Sequence, residues 1–257
     1  MVMIGLKRYI LSLLPCVALL LSSCEGGKGE PFDGHLRVMT FNVHNCKGID
    51  GTRNFSRVAS VIKKYDPDLV AIQEVDSMTS RCKFDVTAQV AQRAGYRGYF
   101  APAIPHTGGK YGVAILSKRP ALSIKQYELP CSSEIRTLAV AEYEDFYFIS
   151  THWSLKEEYR LKAVEIVREV VAGLHKPVIL AGDLNAKPTS APMQKLSEFM
   201  TILNDTSKFT FSASNPSSCI DYVVGAGAKF LVEKSFVGYG CEASDHLPVY
   251  VDIEVRQ

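Results

Sequence analysis

Residues 178–188 read Val-Ile-Leu-Ala-Gly-Asp-Leu-Asn-Ala-Lys-Pro. An apolar run ends at Gly182, and two oxygen-bearing side chains follow, Asp183 and Asn185, separated by one residue. Gly, Asp and Asn are turn residues, so a plain turn accounts for them. A short continuous apolar run also describes a strand buried on both faces, whose carboxyl end could deliver two polar groups to a ligand. Which reading applies depends on how the other strands end.

Leu36–Val43 alternates and is predicted extended, with Asn42 and His44 at its end. Asp68–Val75 is a nearly continuous apolar run that ends in Gln73-Glu74. Thr151-His152-Trp153 follows a strand, Ile220-Asp221-Tyr222 opens one, and Ser244-Asp245-His246 precedes the last. Further extended stretches are predicted at 96–101, 111–117, 121–128, 135–143, 146–151, 177–181, 220–224, 230–237 and 249–255. Helices are predicted over Asn54–Tyr65, Asp85–Ala94, Lys156–Leu174 and Ser190–Met200 from apolar residues at helical spacing. Strands outnumber helices, and the helices fall in two separated groups. That order suits two packed sheets with helices outside.

Singly, each polar strand end has an ordinary explanation. Asn42 suits a turn, Glu74 a surface acid, His152 a packed edge histidine, Asp221 a strand cap, and Ser-Asp-His a loop. Together they form a donor set. Asn and carboxylate oxygens suit a hard divalent cation such as Mg²⁺, and two histidines with acidic partners suit acid–base work or charge stabilisation. The absence of a Cys/His cluster argues against a zinc site. Neither a G-x-x-x-x-G-K-[ST] phosphate loop nor a G-x-S-x-G nucleophile elbow occurs.

In their order, F-N-V, Q-E-V, Y-G-V-A-I-L-S, T-H-W, G-D-L-N, I-D-Y-V and S-D-H-L-P-V resemble the endonuclease/exonuclease/phosphatase superfamily, from about Leu36 to Val255. The resemblance implies an α/β fold, a four-layer α/β/β/α sandwich of two packed mixed sheets with helices outside, with the site at one end of the sheets. It implies Glu74 as principal metal ligand, with Asn42 beside it and Asp245 completing the metal side, for Mg²⁺ or alternatively Mn²⁺. Asp183 and Asn185 would contact the attacking water, the phosphate or a second metal. His246, oriented by Asp221, would be general base or phosphate-stabilising imidazole, and His152 would serve a phosphate oxygen or the leaving group. Arg136 and Tyr111 are candidate substrate contacts, against the alternatives of a solvent-facing charge and a packing residue.

The activity so implied is metal-dependent phosphoester hydrolysis, as phosphodiesterase or phosphatase. The substrate would be a nucleic acid, a phospholipid head group or a small phosphoester, and the protein a monomer. A sphingomyelinase-like phospholipid phosphodiesterase and a non-catalytic surface binding lipoprotein are the alternatives. His152 stands where abasic-site enzymes of the family usually carry Tyr. Asp76 stands where deoxyribonuclease-like members usually carry Arg, which removes an expected phosphate contact.

Among 257 residues, the 47% hydrophobic and 22% charged fractions are ordinary for a globular chain. The start is not ordinary. Lys7 and Arg8 precede an uncharged run from Tyr9 to Cys24, shorter than the roughly 20 residues that span a bilayer. Leu21-Ser22-Ser23-Cys24 resembles the bacterial lipoprotein box, with an ordinary signal peptide or an anchor helix as alternatives. It implies a signal peptide over 1–23, a lipid anchor on Cys24, a Gly-rich tether over 24–34 and a domain over 35–257, exported and anchored to the bacterial envelope on its periplasmic or cell-surface face.

Removing Lys7 and Arg8 takes the 29 basic residues to 27, equal to the 27 acidic ones. No global basic field is then left to attract nucleic acid. Export permits disulfides. Five cysteines remain after Cys24 and no C-x-x-C pair occurs, with Cys219–Cys241 the expected pair.

Overall fold

The computed structural model describes residues 32–256. The signal peptide, Cys24 and the expected tether up to residue 31 lie outside the described residues. The first sheet has seven strands: β1 (His35–Asn42), β2 (Leu69–Thr79), β3 (Cys82–Asp85), β4 (Arg97–His106), β5 (Gly109–Ser117), β12 (Lys229–Val237) and β13 (Val249–Arg256). Their order is β12-β13-β1-β2-β5-β4, with β3 paired to β2. The second sheet has six: β6 (Ser123–Leu129), β7 (Arg136–Glu142), β8 (Tyr147–His152), β9 (Val178–Asp183), β10 (Thr201–Ile202) and β11 (Asp221–Ala226), in the order β10-β11-β9-β8-β7-β6. Only β1–β2 and β8–β9 pair in parallel. Each of those pairs is joined through a helix, as parallel neighbours require.

The helices are α1 (Phe55–Tyr65), α2 (Val86–Ala94), α3 (Glu157–Ala172) and α4 (Ala191–Leu196). The Asn54 side chain caps α1 by accepting from the Arg57 amide, and Asp85 caps α2 by accepting from the Ala88 amide. Gly95, at φ +84, closes α2. α4 is shorter than the predicted Ser190–Met200, because the chain leaves the helix to form β10. The two-stranded edge pieces β3 and β10 were not predicted. Four and two residues are too few to show a period.

Strand alternation produces three cores. On β1, Met39 and Phe41 pack towards α1 and α2 with Val58, Ile62 and Val90, while Leu36 and Val38 face the other sheet. On β9, Val178 and Leu180 pack towards α3 and α4 with Val164 and Leu196, while Ile179 and Ala181 face the first sheet. The layers therefore run helix, sheet, sheet, helix, as the motif order implied.

The same alternation positions the polar residues. Continuing each inward-facing row reaches Asn42 on β1 and His152 on β8, four residues past Val38 and Phe148, and Asp183 on β9, two past Ala181. Asp221 starts the corresponding row on β11. β11 runs antiparallel to β9, and Asp221 lies directly opposite Asp183, which in turn lies opposite His152. At one end of the sandwich the core between the sheets thus changes from apolar to ionisable.

The expected Cys219–Cys241 disulfide is absent. Both are free thiols, Cys219 in the core beneath α3 and α4, and Cys241 against the α1–α2 side of the other sheet. Cys46, Cys82 and Cys131 are free as well. Proximity to a motif in sequence gave no constraint on which layer each thiol enters.

Candidate active site

Asp183 is the hub of the site and is 1% exposed. Its Oδ2 accepts from Asn42 Nδ2 at 3.1 Å and lies 3.4 Å from His152 Nε2 and 3.7 Å from His246 Nε2. Its Oδ1 accepts from the Asn185 amide at 2.9 Å. The G-D-x-N spacing has this local reason: Asn185, at φ +49, folds back over Asp183 instead of continuing the strand.

His246 is held from behind. Its Nδ1 lies 3.2 and 3.1 Å from the two Asp221 oxygens, so the carboxylate fixes that proton on Nδ1. Asp221 is further fixed by the Thr210 hydroxyl at 2.6 Å. His152 is held by Arg136, whose Nη1 lies 3.2 Å from Nδ1. Guanidinium can only donate, so Nδ1 accepts and the His152 proton on Nε2 faces Asp183. Asn185 Nδ2 lies 3.1 Å from His152 Nε2 and donates to the Trp153 carbonyl at 3.1 Å.

Glu74 reaches the site only through an irregularity. The pairing of β2 with β5 passes from Ile72–Ala114 to Val75–Gly112, so Gln73 and Glu74 together oppose one residue. Glu74 sits at φ +59, a left-handed conformation that costs a non-glycine residue about 1–2 kcal/mol. Regular alternation would turn Glu74 to the helix side. The bulge turns it to Asn42, whose Nδ2 donates to Glu74 Oε1 at 3.1 Å.

Asp245 is placed differently from the rest. Its side chain is 44% exposed, and its Oδ1 lies 3.6 Å from His44 Nδ1. Tyr111 is buried and lines the cleft beside Arg136. Sequence reasoning missed Thr210 and Ser244. Ser244 Oγ donates to the Asn42 carbonyl at 2.7 Å and ties the His246 loop to β1. Ser244 lies in the Ser-Asp-His motif, whose pattern gives its hydroxyl no role, and Thr210 belongs to no motif that sequence could flag.

Burial alone would raise the Asp183 carboxyl. The His246 charge, then His152 and the Asn185 amide, outweigh it and hold Asp183 well below the usual carboxylate range. Burial likewise raises Asp221, with His246 opposing. Burial would lower His246, but Asp221 and then Asp183 raise it to about 10. A raised histidine stabilises the fold fully below its ordinary 6.5 and loses that contribution as pH rises through about 10. Metal-free protein is therefore expected to lose stability to urea between about pH 6.5 and 10, and His246→Gln to lose measurably less over that interval. Parallel slopes for the two proteins would show that His246 is not charged in the free site.

The donor set fits a hard divalent cation. Asp183, Asp221 and His246 bring ligand-type atoms within 4.8 Å of one another, but a charged imidazole has no lone pair for a metal, so this trio reads as an ion-paired network beside the cation's place. Glu74, half-buried, meets only the Asn42 amide among the described side chains, which leaves its other lone pairs for a cation.

A family model described as the endonuclease/exonuclease/phosphatase family matches residues 39–246. No curated protein matches. Among solved structures, an endonuclease/exonuclease/phosphatase from Beutenbergia cavernae is 24% identical at a TM-score of 0.74, over 86% of this chain and 72% of that one. One from Bacteroides vulgatus is 20% identical at 0.73, over 86% of this chain and 99% of that one. A mannosyl-6-phosphatase from Bacteroides thetaiotaomicron is 18% identical at 0.67, over 85% and 99%. The layered sheets, the polar ends of their inward rows and the span of the family match agree: the chain belongs to the endonuclease/exonuclease/phosphatase family.

Proposed function

We propose that the protein is a metal-dependent phosphoester hydrolase, acting as a phosphodiesterase or phosphatase. The observation that carries this reading is the convergence of Asn42, His152 and His246 on the single buried carboxylate of Asp183, with Asp221 behind His246. Glu74 and Asn42 would hold a Mg²⁺ or Mn²⁺ ion, with Asp245 at the rim. The ion supplies neutralisation of phosphate charge and polarisation of the P–O bond.

Asp183, ionised, accepts a hydrogen bond from the attacking water and orients it. His246, charged and fixed by Asp221, donates from Nε2 to a phosphate oxygen and stabilises the charge that builds there. A histidine raised to about 10 already carries its proton at neutral pH and has no free lone pair to take another, so the electrostatics favour this role over that of general base. His152 Nε2–H serves a second oxygen, with Arg136 fixing its ring. Asn185 keeps the Asp183 loop in register with both.

The test is hydrolysis of bis-p-nitrophenyl phosphate, plasmid DNA, sphingomyelin and mannose 6-phosphate with Mg²⁺ and with EDTA. Mannose 6-phosphate is included for the chemistry that one structural neighbour's description names. Turnover of at least one substrate is expected, abolished by EDTA and reduced about 10²–10³-fold in His246→Ala. No turnover together with no Mg²⁺ binding in calorimetry would instead favour the surface binding lipoprotein. We also propose export and lipid anchoring through Cys24, on the Leu-Ser-Ser-Cys motif. Mass spectrometry of the mature N-terminus tests it.

A further inference from the structure

Next to the hydrolytic centre lies a cavity of about 570 Å³, lined by residues that include Asn45, Lys47, Arg53, Arg81 and Tyr111 and joined to the centre by Glu74. Much of its wall comes from the loop after β1. There His44, Asn45 and Cys46 form a left-handed turn, with φ of +44, +53 and +57. Such conformations are costly for non-glycine residues and persist only where surroundings enforce them. Here the enforcement is visible. Asn45 Nδ2 donates to Asp76 Oδ2 at 2.9 Å, and the Arg53 guanidinium donates to the Asn45 carbonyl at 3.1 Å and the Arg81 carbonyl at 2.7 Å.

Asp76 fixes the cavity's polarity. Fully buried, it receives Arg81 Nε at 2.7 Å and Nη2 at 2.8 Å, and the Thr79 hydroxyl at 2.8 Å. The acidic residue at this position thus brings an arginine to the wall from five residues downstream. It also fixes the Asn45 amide, since a flipped amide would oppose two oxygens. Asn45 is 5% exposed, and its Oδ1 is a buried acceptor with no partner among the described residues. Neither Lys47 nor Arg53 has a carboxylate partner among the described residues, because the contacts of Arg53 are to neutral carbonyls.

We infer that this cavity is a specificity subsite for the non-reacting part of a small phosphoester that carries a second anion, as a sugar bisphosphate or a phosphorylated sugar acid does. A phosphate or carboxylate is held by Lys47 and Arg53, with Arg81 in the wall. The inference rests on the hydrolytic reading above and names its substrate class. A polynucleotide fits less well. A protein that binds one presents a basic stripe, whereas these cations share one cavity with Glu74 and Glu134, and its volume falls within the roughly 300–1,000 Å³ of small-ligand pockets.

The experiment is calorimetric titration of the metal-free protein with fructose 1,6-bisphosphate, 6-phosphogluconate and fructose 6-phosphate, with Mg²⁺-dependent turnover of each and of bis-p-nitrophenyl phosphate measured alongside. The bisphosphate or the sugar acid is expected to bind about tenfold or more tightly than the monophosphate, and the stronger of the two identifies the anion. The double variant Lys47→Gln/Arg53→Gln is expected to erase that preference, and to lower kcat/KM for the preferred sugar relative to bis-p-nitrophenyl phosphate by about tenfold or more. Should the double variant unfold, Arg53→Gln and Arg53→Lys are compared, with only the lysine retaining the preference. Equal binding of the three sugars, an unchanged preference in the variants, or displacement of the sugars by a single-stranded oligonucleotide would overturn the inference. Turnover of bis-p-nitrophenyl phosphate without a sugar preference overturns this inference alone. Sugar preference without metal-dependent turnover of any substrate overturns the hydrolytic reading alone.

Discussion

Asp183→Asn is expected to lower phosphoester hydrolysis by about 10³-fold. The substitution conserves shape and keeps one oxygen, which can serve the Asn185 amide, while an NH₂ group replaces the oxygen that accepts from Asn42. It removes the charge that both imidazoles face, in a site where exclusion of water makes each charge count more than at the surface. It also removes one of the three carboxylates that raise His246, so the His246 proton should titrate closer to its ordinary range. Steady-state kinetics with an NMR titration of the histidine ring check both effects. A variant within tenfold of the parent would remove Asp183 from the reaction, and an unmoved His246 titration would remove the electrostatic account.

Gly182→Ala is expected to be the most destabilising single-methyl change at the site, by about 3 kcal/mol. For a chain of this size that corresponds to a melting temperature lower by about 6–12 °C. A Cβ at 182 would collide with the carbonyl oxygen of Thr151 on the adjacent strand. Backbone within a paired sheet has no rotamer through which to yield, so the β8–β9 pairing itself must open, and His152 and Asp183 ride on that pairing. Gly95 is the control. An added Cβ meets nothing within 4 Å there, and only its φ of +84 is strained, so Gly95→Ala is expected to cost about 1 kcal/mol. Equal effects in thermal melts would show that β8 and β9 accommodate the methyl.

The end of Val178–Asp183 illustrates how much was legible. Apolar continuity marked the strand, and Asp183 with Asn185 marked the end that delivers polar groups, whereas the close approach of Gly182 to the Thr151 carbonyl is visible only in the structure. The same held for Asn42, His152 and Asp221, because period-two alternation is a local property and carries a side chain's face along with it. The four layers followed from the order of such segments, helped by the family resemblance of their motifs. Tertiary structure alone decided the rest. Glu74 faces the site through a bulge set by its register with β5, and Asn45 and Arg81 meet at Asp76 from 31 and five residues away. Cys219 and Cys241 lie in different layers. Bulges, left-handed turns and ion pairs of this kind are fixed by partners remote in the chain. A single sequence records the residue but not the partner, so it named the polar groups that converge at the sheet ends and left the shape of the cavity beside them to the fold.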